Sequence, residues 1–248
     1  MRLLLLINRD FPSYYALGRL LPLIQGQTVR VLQTAQVGAP RAVPRALKRL
    51  ASHEQSLLQA QLSLPGHTDW PALQSALAQQ LGVPITTVTG VNQGFGFERM
   101  QSFQPDLVVS IRFGSILRPA AINLPRLGVL NLHSGLLPAY RGVMATFWSM
   151  LHQRSHYGYS IHDIIDEGID TGPLIEHESL PLDLDKDYLN QLLALYQSAV
   201  PRLARIIEQR EAAGVLRRLP NGATTGGYYS TPTASDCAQF SGLGLRLF

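Results

Sequence analysis

Residues 131–142 read Asn-Leu-His-Ser-Gly-Leu-Leu-Pro-Ala-Tyr-Arg-Gly, and the residue types at their start suggest chemistry. Asn131 and His133 stand two apart at the end of an apolar run, so on a strand both side chains leave one face. An amide donor next to an imidazole suits an oxygen that turns negative during a reaction. The imidazole can also move a proton near neutral pH. Gly135, Pro138 and Gly142 then break regular structure and keep a loop beside that strand end. A second cluster follows, Gly158-Tyr159-Ser160-Ile161-His162 and then Asp166-Glu167-Gly168-Ile169-Asp170-Thr171-Gly172. Alternation over 159–165 predicts a strand, and the acidic, glycine-bearing loop after it can bring a carboxylate to orient His133 or pass a proton through water. Taken singly, each feature also has a plain structural reading: a turn cap at Asn131, a hydrogen-bonded core histidine at His133, an ordinary acidic turn at 166–172.

The strand pattern indicates a sheet that can position these segments. Leu3 to Ile7 is a short, continuous apolar run, as in a strand covered on both faces. Further strands are expected at 28–32, 84–88, 106–111 and 128–132. Helical spacing lies between them at 13–24, 44–62 and 69–81, the last two with Pro44 and Pro71 near their starts. Strands alternating with helices indicate an α/β chain with a doubly wound, mainly parallel, Rossmann-like sheet. Such sheets hold ligands at the carboxyl ends of their strands. After Asp185 the pattern changes. Leu189, Leu192, Leu193, Tyr196, Val200, Leu203, Ile206 and Ile207 recur at threes and fours, which predicts a long amphipathic helix that Pro201 should kink. The tail from Pro220 to Phe248, rich in Gly, Thr, Ser and Tyr, reads as loop and hairpin, with Tyr228, Tyr229 and Phe240 packing on the domain or supporting a homodimer. The expected division is an α/β domain over 1–185 and a C-terminal helix and hairpin extension over 186–248.

Composition narrows the class. Of 248 residues, 46% are apolar and 15% charged, the balance of a globular protein. The excess of 21 Lys+Arg over 17 Asp+Glu, a net +4, is too small to argue for nucleic acid. Cys237 is the single cysteine, which excludes an internal disulfide and fits a reducing, cytoplasmic setting. No apolar run reaches the ~20 residues of a membrane helix, and Asn8-Arg9-Asp10 ends the opening run too early for a secretory signal.

Together the two clusters resemble the folate-dependent formyltransferases, a family that includes the glycinamide ribonucleotide, methionyl-tRNA and sugar-nucleotide enzymes. The family pattern of Asn-x-His, a Leu-Leu-Pro loop, Gly-x-Thr/Ser-x-His and Asp-x-Gly is met by Asn131/His133, Leu136-Leu137-Pro138, Gly158/Ser160/His162 and Asp170/Gly172. Residues 106–119 look like the strand and loop ahead of the family's active site. The resemblance is close over about residues 100–180 and weak at the N-terminus. It implies transfer of a formyl group from 10-formyltetrahydrofolate to the nitrogen of a small-molecule amine or hydroxylamine, with Asn131, His133 and Asp170 on the catalytic trio. In the implied chemistry the Asn131 amide and a protonated His133 hold the developing oxyanion, while Asp170 raises the basicity of His133. The resemblance also implies a pterin held by Ser115, Ile116 and Leu117, mostly through backbone, and by the loop from Asp166 through Gly168 to Asp170. The acceptor is expected against Ser134, Arg141 and Gly142, with no metal.

Departures from the family bear on the acceptor. After His133 the loop reads Ser-Gly-Leu-Leu-Pro, where Pro-Ser or Gly-Ser is usual. The segment Asn8-Arg9-Asp10-Phe11-Pro12-Ser13-Tyr14-Tyr15 has no glycine, so a backbone nest for phosphate is not expected, which argues against a glycinamide ribonucleotide acceptor. About 60 residues follow Asp185, short of the C-terminal domain of the methionyl-tRNA enzymes, so tRNA is not expected either. An amino sugar on a nucleotide, an amino acid or its hydroxylamine, or a natural-product intermediate remains. Competing readings are a hydrolase that releases formate with the same trio, a metal-dependent hydrolase built on His133, His162, Asp166 and Asp170, and a non-catalytic folate- or nucleotide-binding module. A serine hydrolase at Ser134 lacks the Gly-x-Ser-x-Gly elbow. Arg112 and Arg141 lie beside the motifs, as contacts to the folate tail or acceptor or as ion-pair partners.

Overall fold

The computed structural model describes residues 1–38, 42–64, 68–214, 217–222 and 226–248, and arranges seven strands in one sheet. β1 (Arg2–Asn8), β2 (Thr28–Thr34), β3 (Ile85–Val88), β4 (Leu107–Ile111) and β5 (Val129–His133) run parallel in the order β3-β2-β1-β4-β5. β6 (Tyr140–Gly142) leaves this sheet, and β7 (His156–Ile164) and β8 (Leu174–Pro181) extend it beyond β5 as an antiparallel pair. The chain order reverses between β1 and β4, so the mainly parallel, doubly wound α/β fold is what the alternating pattern demanded.

β1 lies at the centre because it is apolar on both faces. Leu3, Leu5 and Ile7 join a cluster with α1 (Phe11–Leu20), α2 (Arg45–Gln61), α3 (Trp70–Leu81) and the long C-terminal helix α7 (Tyr188–Ala213). Leu4 and Leu6 face the other way, toward α4 (Gly94–Phe103) and α5 (Pro119–Ile122). All five side chains are fully buried, each contributing about 2 kcal/mol of apolar transfer. Carboxylates cap three of these helices: Asp10 accepts from Ser13 N at 2.9 Å, Asp69 from Ala72 N at 2.9 Å and Asp187 from Asn190 N at 2.8 Å.

Several elements differ from the sequence reading. The first helix starts earlier, at the Asp10 cap, and ends at Leu20, where Pro22 (which has no N–H) tightens the chain into a 3-10 turn over Leu21–Leu23. Gly94-Phe95-Gly96-Phe97 opens α4, where a Cβ on Gly96 would lie 1.8 Å from Gly90 O. The long C-terminal helix is present as expected, α7 being helical on both sides of Pro201. The tail is not a hairpin. β9 (Gly227–Tyr229) pairs in parallel with β6, from Tyr140 against Gly227 to Gly142 against Tyr229, and α8 (Ala234–Gly242) follows. The Thr and Ser that suggested a loop include a helix start: Thr233 and Asp236 form a reciprocal capping box. α8 then docks by stacking Phe240 on Phe147 of α6 (Ala145–Leu151), with ring centroids 4.4 Å apart. No helix among the described residues is long and apolar enough to cross a membrane.

Phe240 is fully buried. Phe240→Ala should therefore lower the unfolding free energy in a denaturant titration by about 3 kcal/mol, and a loss under about 1 kcal/mol would show that α8 does not dock as described.

Candidate active site

β5 turns Asn131 and His133 to the face that Val129 uses, opposite to Leu130 and Leu132. Its antiparallel neighbour β7 sets His162 across from Asn131 and Ser160 across from His133. Ser160 fastens the loop that follows β5: its hydroxyl donates to Gly135 O at 2.9 Å and accepts from Leu137 N at 3.0 Å. A Cβ on Gly135 would lie 2.6 Å from His133 Nε2 and 2.7 Å from Tyr140 O, so only glycine lets this loop close on the ring.

Asp170 meets these residues from the loop between β7 and β8. Its backbone is left-handed, with φ 53°, a conformation that costs an L residue about 1–2 kcal/mol and persists where surrounding contacts impose it. The side chain is 9% exposed and bridges the site. Oδ1 accepts from Asn131 Nδ2 at 3.2 Å and lies 3.4 Å from His162 Nε2. Oδ2 accepts from Gly142 N at 2.7 Å and lies 3.5 Å from His133 Nδ1. The three residues expected on the trio therefore converge, and Gly142, expected against the acceptor, contributes its amide to the same carboxylate.

The partners fix the tautomers. His133 Nε2 lies 2.6 Å from Tyr140 O, which only accepts, so Nε2 carries a proton and Nδ1 is the ring nitrogen that faces Asp170. His162 Nδ1 lies 2.9 Å from Asp163 O and carries a proton for the same reason, while Nε2 lies 3.0 Å from Asn131 Nδ2 and 3.4 Å from Asp170 Oδ1. Both N–H groups of Asn131 are thus turned to these neighbours, one to His162 and one to Asp170. The expectation of a free Asn131 N–H aimed at an oxyanion is not met in this arrangement. Burial by itself would raise the Asp170 carboxyl, but the His133 ring, the His162 contact and charge and the Gly142 amide together hold it down at about 2.

The other expected residues are less concentrated. Ser134 accepts from Thr146 Oγ1 at 3.4 Å through its backbone carbonyl. Arg141 is half-buried, and its Nε is shielded from solvent without a partner. Ile116 is exposed, its carbonyl taken by Asn92 Nδ2 at 2.8 Å, whereas Leu117 is buried in the α4 and α5 cluster. Ser115 lies beside Gly90, where a Cβ would come within 3.0 Å of its hydroxyl. Asp166 turns inward on its own loop, accepting from Gly168 N at 2.8 Å and Thr171 Oγ1 at 3.3 Å, and does not join His133, His162 and Asp170. Among the described residues no group of His, Cys, Asp and Glu is arranged to hold a metal ion. Arg112 pairs with Asp10 at 3.0 Å in a buried contact beside the end of β1. His162, expected from the sequence only as part of the Gly158/Ser160/His162 motif and as a ligand in the metal-dependent alternative, stands beside Asn131 and Asp170.

Residues 93–199, which contain the whole trio, match the family model described as formyl transferase. Over that segment the chain is similar to the formyl transferases. It is 31% identical over 118 residues to a methionyl-tRNA formyltransferase of Kosmotoga olearia, covering 48% of this chain and 38% of that protein. It is 32% identical over 147 residues to the methionyl-tRNA formyltransferase of Citrifermentans bemidjiense, covering 56% and 46%. The chain thus spans less than half the length of these curated relatives. Among solved structures, a sugar N-formyltransferase from a Shewanella species aligns over 96% of this chain and 86% of its own, with a TM-score of 0.61 at 17% identity. The glycinamide ribonucleotide transformylase 1 of Symbiobacterium toebii aligns over 88% and 94%, with a TM-score of 0.58 at 20% identity. At these identities the two structures establish a shared fold and nothing further.

The depressed Asp170 carboxyl has a consequence for stability. Its folded value of about 2 lies below the ordinary 3.8, so its contribution is present above pH 4 and is lost as pH falls through 2. Between about pH 5 and 2 the wild type should lose about 2 kcal/mol more unfolding free energy than Asp170→Asn in denaturant titrations, and parallel curves would refute the assignment.

Proposed function

We propose that the chain moves the formyl group of 10-formyltetrahydrofolate to the amine or hydroxylamine of a small metabolite such as an amino sugar or amino acid. The observation that supports this reading is the meeting of Asn131, His133 and Asp170 around one carboxylate. The folate supplies an activated formyl carbon on a nitrogen that can leave. Ile116 and Ile165 are exposed apolar side chains on the two loops that an Arg118–Glu167 contact of 4.0 Å joins, and they suit a planar ring. Ser115, Leu117 and Gly168 complete those loops as the residues that would hold it.

Within this reading Asn131 Oδ1 accepts an N–H of the incoming amine and aims its lone pair. His133 Nδ1 takes a proton from that nitrogen as the bond forms. The resulting imidazolium sits 3.5 Å from Asp170 Oδ2, which stabilises its charge, and places an N–H beside the oxygen that turns negative. The same Nδ1 then returns the proton to the leaving nitrogen. His162 and the Gly142 amide keep Asn131 and Asp170 in register.

The acceptor is read from the end of β1. Asp10 fills the N-terminus of α1 with its own carboxylate and is neutralised by Arg112, so a phosphate is not favoured at that helix end. Arg141, whose Nε has no hydrogen-bond partner among the described residues and which adjoins Gly142, suits an anionic group on the acceptor. Because the matched curated relatives act on methionyl-tRNA by name, that substrate belongs in the test.

Incubation with 10-formyltetrahydrofolate and a panel of nucleotide amino sugars, amino acids, hydroxylamine, glycinamide ribonucleotide and methionyl-tRNA should add one formyl group, detected by mass spectrometry, to a small amine. Formate released at the same rate without any acceptor would establish hydrolysis instead. Asn131→Ala should lower kcat about a hundred-fold, and activity within tenfold would remove it from the reaction. Arg141→Ala should raise KM for the acceptor about tenfold at unchanged kcat; an unchanged KM would place the anion elsewhere.

A further inference from the structure

Described residues after α7 contact the site at several points, although they lie outside the matched residues 93–199. Arg218 Nε reaches the buried Asp163 Oδ2 at 2.6 Å. Leu219 and Leu174 exchange backbone hydrogen bonds at 2.8 and 2.9 Å, holding the chain beside the start of β8. Farther on, Gly226 passes so close to Pro138 that a Cβ would sit 1.7 Å from its carbonyl oxygen, and β9 runs beside β6. Trp148 Nε1 donates to Ser230 O at 3.1 Å. Between these anchors stands Asn221, 7% exposed, whose Nδ2 donates to Asp170 O at 2.9 Å and to Gly172 O at 2.7 Å.

We infer that Asn221 is a positioning residue of the reaction centre, its amide clamping the carbonyls of Asp170 and Gly172 so that the Asp170 carboxylate stays against His133 and Asn131. The inference rests on the formyl-transfer reading. Two carbonyls in a turn both point at one NH2 group, which fixes the amide orientation, because an oxygen there would face two acceptors. The segment is already held on either side of Asn221, by Arg218 and Leu219 before it and by β9 after it. The two donated bonds are therefore spare for the tail and bear on the 170–172 turn, where Asp170 has φ 53°. With the donor removed, the two carbonyls turn to water, the backbone of Asp170 relaxes to an ordinary φ, and the carboxylate withdraws from the two ring nitrogens.

The test compares Asn221→Ala, Asn221→Asp and Asn221→Ser, with hydroxylamine as the probe acceptor. Asn221→Asp keeps the shape and replaces the donor by an acceptor; Asn221→Ser keeps one donor and covers the case in which the Asp variant fails to fold. The Ala and Asp variants should lose about a hundred-fold in kcat, with the Ser variant between them and wild type. KM for 10-formyltetrahydrofolate should change by less than about twofold. In an Asp170→Asn background, Asn221→Ala should add less than about twofold, because both changes act through the same carboxylate. A crystal structure of the Ala variant should show Asp170 out of the positive-φ region and its Oδ2 farther from His133 Nδ1 than the present 3.5 Å. Wild-type kcat in the Ala variant, or an undiminished penalty in the Asp170→Asn background, would overturn the inference while leaving formyl transfer standing. A wild type that formylates nothing, together with a displaced Asp170 in the variant crystal, would retain the clamp and remove the functional reading.

Discussion

The site depends on one carboxylate held where its backbone would not go unaided. Asp170 is nearly buried, left-handed and surrounded by two imidazoles, a side-chain amide and a backbone amide. An isolated carboxylate in that position would gain a proton. This one stays ionised because the groups around it donate to it or carry charge that it offsets. Everything else local follows from that requirement. β5 and β7 must pair so that Asn131 stands across from His162, and the loop after β5 must return so that Gly142 presents its N–H to the same oxygen atoms.

Glycine makes that return possible. A side chain at Gly135 would strike the His133 ring, and at Gly142 a Cβ would lie 2.1 Å from Tyr229 O. The backbone therefore approaches a ring on one side and another backbone on the other, with no room for either to shift. Ser160 adds a pair of hydrogen bonds across the loop, and Tyr140 contributes its carbonyl to His133 while its ring stacks on Tyr229 at 5.3 Å. The residues between the two motifs are in this sense the wall of the site as much as a connection.

The sheet was legible in the sequence because its strands are continuous apolar runs, and a strand buried on both faces has few other ways to look. The common face of Asn131 and His133 was legible too, since a spacing of two fixes it. Asp170 could be tied to them only through resemblance, as nothing in an acidic, glycine-bearing turn says which way a carboxylate points. The tail was not legible. β6 and β9 pair over more than eighty residues of sequence, through backbone groups that leave no side-chain pattern, and a single Asn in a segment rich in Gly and Thr looks like any turn residue. α8 was hidden because Thr, Ser and Asp serve equally as loop and as cap. The use of both Asn131 N–H groups was equally out of reach, since it depends on His162 and Asp170 arriving together.

β1 sits between β2 and β4, yet β4 is about a hundred residues farther along the chain. On the ribosome, the first strand and its β2 neighbour are complete long before the strand that closes their other side has been translated. During that interval a nascent chain displays an open row of amides and carbonyls on a leucine-rich ribbon, the kind of edge that invites pairing with a stranger. Synthesis speed over residues 35–106, and the chaperones that meet the chain there, therefore bear on how much of this protein a cell obtains in usable form.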